Sequence, residues 1–115
     1  MDVSFILSAD ELFTLISMMN GQTEAGKEFI EKALADAEIC DLTGLKEKKL
    51  AHIEGDELEL APVMQMMIDT ISNASNAENH GDYWEIESAW VTLRCEGYPF
   101  KEGYWKISPI KGAAV

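Results

Sequence analysis

The stretch from Asp41 to Asn76, DLTGLKEKKLAHIEGDELELAPVMQMMIDTISNASN, decides the architecture. It reads as a short basic helix, a two-strand hairpin turning at Gly55-Asp56, and an apolar helix opened by Pro62. In the first helix Leu42, Leu45 and Leu50 share the core side, and Lys46, Lys48 and Lys49 the outer side. A two-residue turn at Gly55-Asp56 sets Ile53 against Leu58, Ala51 against Leu60 and His52 against Glu59, which gathers every apolar residue on one face. The same register opposes Glu54 to Glu57, a like-charge pair. Pro62 suits a first helical turn, where its missing N–H is not needed. Val63, Met64, Met67, Ile68, Ile71 and Ala74 then form a broad apolar stripe. Helix, wing and helix in this order predict a winged-helix-like core.

Upstream, Val3 to Leu7 alternates as a short strand, and Ser8-Ala9-Asp10-Glu11 has the form of a capping box. A helix over 9–20 follows, with Leu12, Ile16 and Met19 on one face and a stop at Asn20-Gly21. A second helix over 24–38 turns Phe29, Ile30, Ala33, Leu34 and Ala37 inward, with Glu28 and Lys32 spaced four apart in the favourable order. Downstream, the polar run Ser72 to Asp82 reads as a flexible connection, with 77–82 as a linker. The pattern then becomes β. Trp84 and Ile86 share one parity while Val91, Leu93 and Cys95 share the other, so a bulge or bend near Ser88 to Trp90 is expected. Gly97-Tyr98-Pro99 and Glu102-Gly103 bracket a turn before a last strand, Tyr104 to Ile110, with Trp105 and Ile107 inward. The expectation is one α+β domain over 1–115: a winged-helix-like core (3–76), the linker, and aromatic antiparallel strands (83–110) in a hairpin or meander.

Bulk composition narrows the function. At 115 residues with 47% hydrophobic content the chain can bury a core without metal or disulfide. Asp and Glu number 21 against 9 Lys and Arg, a formal charge of −12. Phosphate backbones and anionic lipid are bound by neutralising their charge, so nucleic acid and membrane surfaces are disfavoured. An acidic residue at position 2 and a short apolar run do not make a signal peptide, which points to the cytoplasm. Cys40 and Cys95 have no neighbouring cysteine for a metal clip or a redox pair and read as reduced, buried thiols. No phosphate loop, helical two-histidine zinc pattern, nucleophile elbow or calcium loop is present. No catalytic residue, cofactor or metal ligand is therefore assigned.

All three Trp and all three Tyr fall in the last third of the chain. Trp84, Trp90, Tyr98, Phe100, Tyr104 and Trp105 are the candidate partner-binding residues, joined by Met66, which departs from the inward stripe of its helix. Such a surface either packs on the helices or awaits a partner, and its free strand edge suits strand addition from another protein or a second copy as a homodimer.

The run Phe5-Ile6-Leu7-Ser8-Ala9-Asp10-Glu11-Leu12, with Leu45 to Ala51 and Leu58-Glu59-Leu60-Ala61-Pro62, resembles the N-terminal part of the EspG-like proteins associated with type VII secretion in Gram-positive bacteria. In that family a strand, helices and a winged-helix-like hairpin precede a larger sheet, and well-known members bind helical secreted substrates as cytoplasmic chaperones. The resemblance implies a non-enzymatic adaptor or chaperone-like module. Two competing readings remain open. One is a winged-helix transcription regulator using Lys46, Lys48 and Lys49. The other is a small metal-dependent enzyme with an acidic site at the wing, through Glu54, Asp56, Glu57 and Glu59.

Overall fold

The structure is a computed structural model that describes residues 4–19, 21–47, 51–54, 57–89 and 91–111. It is a mixed α+β fold. The elements are β1 (Phe5–Ser8), α1 (Ala9–Ser17), α2 (Glu24–Ala33), α3 (Thr43–Glu47), β2 (Ala51–Glu54), β3 (Glu57–Leu60), α4 (Pro62–Ser72), β4 (Asn76–Asn79), β5 (Tyr83–Glu87), β6 (Thr92–Gly97) and β7 (Tyr104–Lys111).

The α3–hairpin–α4 order is present, and β2 pairs with β3 in the expected register, Ala51 with Leu60 through Glu54 with Glu57. The larger organising element is a five-stranded antiparallel sheet in the order β1-β7-β6-β5-β4. It recruits both ends of the chain. Phe5 to Ser8 pair with Ile107 to Tyr104, so the first strand belongs to the C-terminal sheet. Asn76 to Asn79, expected to be connection and linker, form β4 and pair with Glu87 to Trp84. Hydrogen bonding to β5 makes this strand despite its polar composition, since pairing and not propensity decides an edge.

The parity change after Ile86 is made by a bend, the second of the two expected alternatives, and not by a bulge. The chain reverses between Glu87 and Thr92, which face each other. The Ser88 N–H donates to the Val91 carbonyl at 2.9 Å. Reversal sets Trp84 beside Cys95 and Ile86 beside Leu93, which returns both parities to one face. A register shift does occur, between Thr92 and Leu93 on the β7 side.

Helices cover that face. α4 packs on β5 and β6, α2 on β4 and α4, and α1 on α4 and β1. One apolar cluster results, including Leu7, Leu12, Phe29, Leu45, Met64, Ile68, Ile86, Leu93 and Ile107, so the helical half and the strand half share a core. Val63, placed on the stripe by spacing, is instead exposed, while Met64, Met67, Ile68 and Ile71 are fully buried.

Local chemistry sets the helix ends. Ser8 Oγ accepts the Glu11 amide at 3.0 Å, and Glu11 Oε1 accepts the Ser8 amide at 2.9 Å, which completes the capping box. Helix α1 stops at Ser17, and Gln22 Nε2 donates to the Ile16 carbonyl at 3.1 Å. Helix α2 stops at Ala33, short of the expected 38. Side chains of α1 take the amides beyond it: Asp10 Oδ1 accepts the Glu38 N–H at 2.9 Å and Thr14 Oγ1 accepts the Cys40 N–H at 3.0 Å. The expected Glu28–Lys32 pair forms at 2.9 Å but is exposed, and contributes little.

Among the described residues one core hydroxyl is unsatisfied. Ser72 is fully buried, and its Oγ has no hydrogen-bond partner among the described residues. A buried unpaired hydroxyl costs about 1–3 kcal/mol. Ser72→Ala is therefore expected to be neutral or to stabilise by about 1 kcal/mol in chemical denaturation. A loss of that size would instead reveal a buried water on the hydroxyl.

Candidate interaction surface

The aromatic residues divide by location. Trp84 is only 6% exposed and makes an edge contact with Phe29 at 5.5 Å, which removes it from the expected partner-binding surface. Trp105 is half-buried on the same inward face, 5.7 Å from Phe29. Both indoles are docked by α2. Met66 is half-buried on α4 and borders an open groove with Thr70, Ser88, Ala89 and Val91. Trp90 lies outside the described residues, as do Lys48 and Lys49; Lys46 falls on α3. Glu54 and Glu57 fall on β2 and β3, and Asp56 lies outside the described residues.

Tyr98, Phe100 and Tyr104 come together at the turn between β6 and β7. The Tyr98 N–H donates to the Tyr104 carbonyl at 2.8 Å, and the Tyr104 N–H to the Lys101 carbonyl at 3.3 Å. Gly103 supplies a φ of +79°, a conformation that L side chains rarely adopt. Phe100 is 84% exposed, the largest exposure of any large apolar side chain among the described residues. It does not hang free: its ring meets Tyr98 edge-on at 5.5 Å, and Lys101 Nζ sits 4.2 Å over the Tyr104 ring. The tip is an aromatic knob with one cation beside it.

The sheet face away from the helices carries a second, polar array that the sequence reading missed. His80 stacks on Tyr83 at 4.8 Å, and the Arg94 guanidinium carbon lies 4.0 Å from the centroid of the same Tyr83 ring. His80 Nε2 lies 3.4 Å from Glu78 and 3.8 Å from Glu85, while Arg94 Nε lies 3.6 Å from Glu96. Glu78 opposes Glu85, and Glu85 opposes Arg94, so two acidic groups and one basic group line up across three strands. Its members lie between residues 78 and 96 on three strands, and only the strand register, with β4 recognised, places them in one row.

Neither cysteine is set up for chemistry. Burial pushes the Cys95 thiol far above its ordinary range. At Cys40 burial also raises it, against a lowering hydrogen bond from Thr14, with Glu11, Asp10 and Asp41 adding to the rise. Both therefore remain protonated, weakly nucleophilic thiols at neutral pH. Among the described residues no cluster of three or more His, Cys, Asp or Glu is placed to hold a metal ion, and no helix is long and apolar enough to cross a membrane. Comparison with protein-family models, curated proteins and solved structures finds no match to this chain.

Proposed function

We propose that this chain is a non-enzymatic protein-binding module, an adaptor or chaperone-like protein, whose contact surface is the β6–β7 tip. The observation that carries the reading is Phe100, a phenyl ring exposed to 84% yet held against Tyr98. An exposed Phe side chain leaves roughly 1.5–3 kcal/mol of burial unrealised. A preordered ring recovers that in a partner's pocket with little loss of side-chain freedom. Tyr98 and Tyr104 supply amphipathic flanks, and Lys101 supplies a positive rim on an otherwise acidic chain.

The resemblance of the N-terminal stretch to EspG-like proteins supports a more specific version, in which the partner is a helical secreted protein of a type VII system and the encounter is cytoplasmic. Phe100→Ser tests the surface directly. A partner captured from native lysate by the tagged chain and then purified should bind the variant at least about tenfold more weakly, or about 1.4 kcal/mol. The variant's stability should stay within about 0.5 kcal/mol of the parent, because Phe100 leaves the core untouched. Equal affinity for both forms would move the contact away from the tip.

A further inference from the structure

The opposite side of the sheet ends in an edge whose chemistry is unlike that of the tip. No strand lies beyond β4 among the described residues. The His80 N–H donates to the Tyr83 carbonyl at 2.9 Å across a turn in which Gly81 has a φ of +92°. Hydrogen-bonded pairs alternate along an antiparallel ladder. Counting back from His80 and Tyr83, Glu78 bonds with Glu85 and Asn76 with Glu87. The N–H and C=O of Ala77 and Asn79 consequently face away from β5, toward the place of a sixth strand.

Helix α2 runs beside this edge. Between them lies an open groove of about 390 Å³ lined by Glu24, Ala25, Lys27, Glu28, Glu31 and Ala77, among others. A strand added to β4 would lay alternate side chains over that groove and the remainder beside the outer face, where Glu78, Glu85 and Glu87 stand. Both of its faces would meet predominantly negative charge. Lys27 and the Lys32 paired with Glu28 offset part of the charge on the groove side, and Arg94 opposite Glu85 part of that on the outer face, which leaves acids in excess on both.

We propose that the β4 edge binds an extended, basic segment of a partner protein as a sixth strand, with Lys or Arg at alternating positions. Main-chain bonds to Ala77 and Asn79 give the segment its register, and the two acidic faces select its charge. A second copy of the chain is the wrong occupant: it would bring an identical acidic edge and a further formal charge of −12. This contact is independent of the Phe100 tip.

The probe is a short synthetic peptide alternating Lys and Thr, compared with one alternating Glu and Thr, titrated into the full chain at about 0.1 M and about 1 M salt. The basic peptide should bind saturably at the lower salt, weaken at the higher, and slow amide exchange at Ala77 and Asn79. Ala77→Pro should weaken it at least about tenfold, because proline is tolerated where a strand N–H faces outward but removes that donor. Glu31→Lys should weaken it several-fold without touching the strand. Phe100→Ser should not affect it. The proposal is overturned if the acidic peptide binds equally, if exchange at Ala77 and Asn79 does not change, if neither Ala77→Pro nor Glu31→Lys matters, or if light scattering shows a dimer that Ala77→Pro dissolves.

Discussion

Phe29→Ala should lower the free energy of unfolding by about 4 kcal/mol, within the range of about 3–5 kcal/mol for emptying a buried Phe site. The ring is fully buried, and its neighbours explain why little can collapse into the space. It meets Trp84 of β5 and Trp105 of β7 in edge-on geometry, 5.5 and 5.7 Å away. Those strands are separated by β6, so one helical side chain ties α2 to both flanks of the sheet centre. Neither indole can move inward without dragging a paired strand. The geometry adds about 0.5–1.5 kcal/mol per aromatic pair to the burial itself. In guanidinium titrations followed by Trp fluorescence, the midpoint should fall with little change in slope. The melting temperature should drop by roughly 15 °C. A loss below about 1 kcal/mol would mean that α2 does not depend on the sheet for its position.

What could be read in advance was the chemistry that acts over a few residues. The β2–β3 register followed from alternation around one turn, since a slip by one residue would have put the apolar residues of the two strands on opposite faces. The capping box followed from Ser8 and Glu11 alone. β4 was missed because Asn76, Glu78 and Asn79 carry no apolar signal; only Ala77 contacts the core. The pairing of Phe5 with Ile107 spans nearly the whole chain, and no local pattern encodes it. The aromatic residues show the same limit. Periodicity told which of them share a face, but Trp84 lies under Phe29 whereas Phe100 sits on a turn, where alternation has no meaning. The helix over 24–38 was overextended for a related reason. Asp10 and Thr14 compete for the backbone beyond Ala33, and they belong to a different helix.

Gly26→Ala should destabilise by about 2 kcal/mol, although the same change in an exposed helix would stabilise by about 1 kcal/mol. Two opposing effects decide the sign. Alanine removes unfolded-chain entropy and favours the helix, worth about 0.4–1 kcal/mol. Against this, a Cβ at Gly26 would lie 2.7 Å from the Ile71 carbonyl oxygen and 3.1 Å from that of Ser72. Both obstacles are backbone atoms at the end of α4, so no rotamer change can relieve them. The helices cannot simply part either. Thr23 caps α2 by accepting the Gly26 N–H at 3.2 Å, donates its hydroxyl to the Ala74 carbonyl at 2.6 Å, and donates its N–H to the Ser72 carbonyl at 2.9 Å. Relief of the clash must therefore break that clamp or shift Phe29, one turn along the helix, off the two indoles. Gly97 is the internal control, because a Cβ there meets nothing within 4 Å. Gly97→Ala should be neutral or stabilise by about 0.5–1 kcal/mol. Denaturation of the two variants side by side separates packing from propensity. If Gly26→Ala is as stable as Gly97→Ala, the close approach of α2 to the end of α4 does not exist in solution.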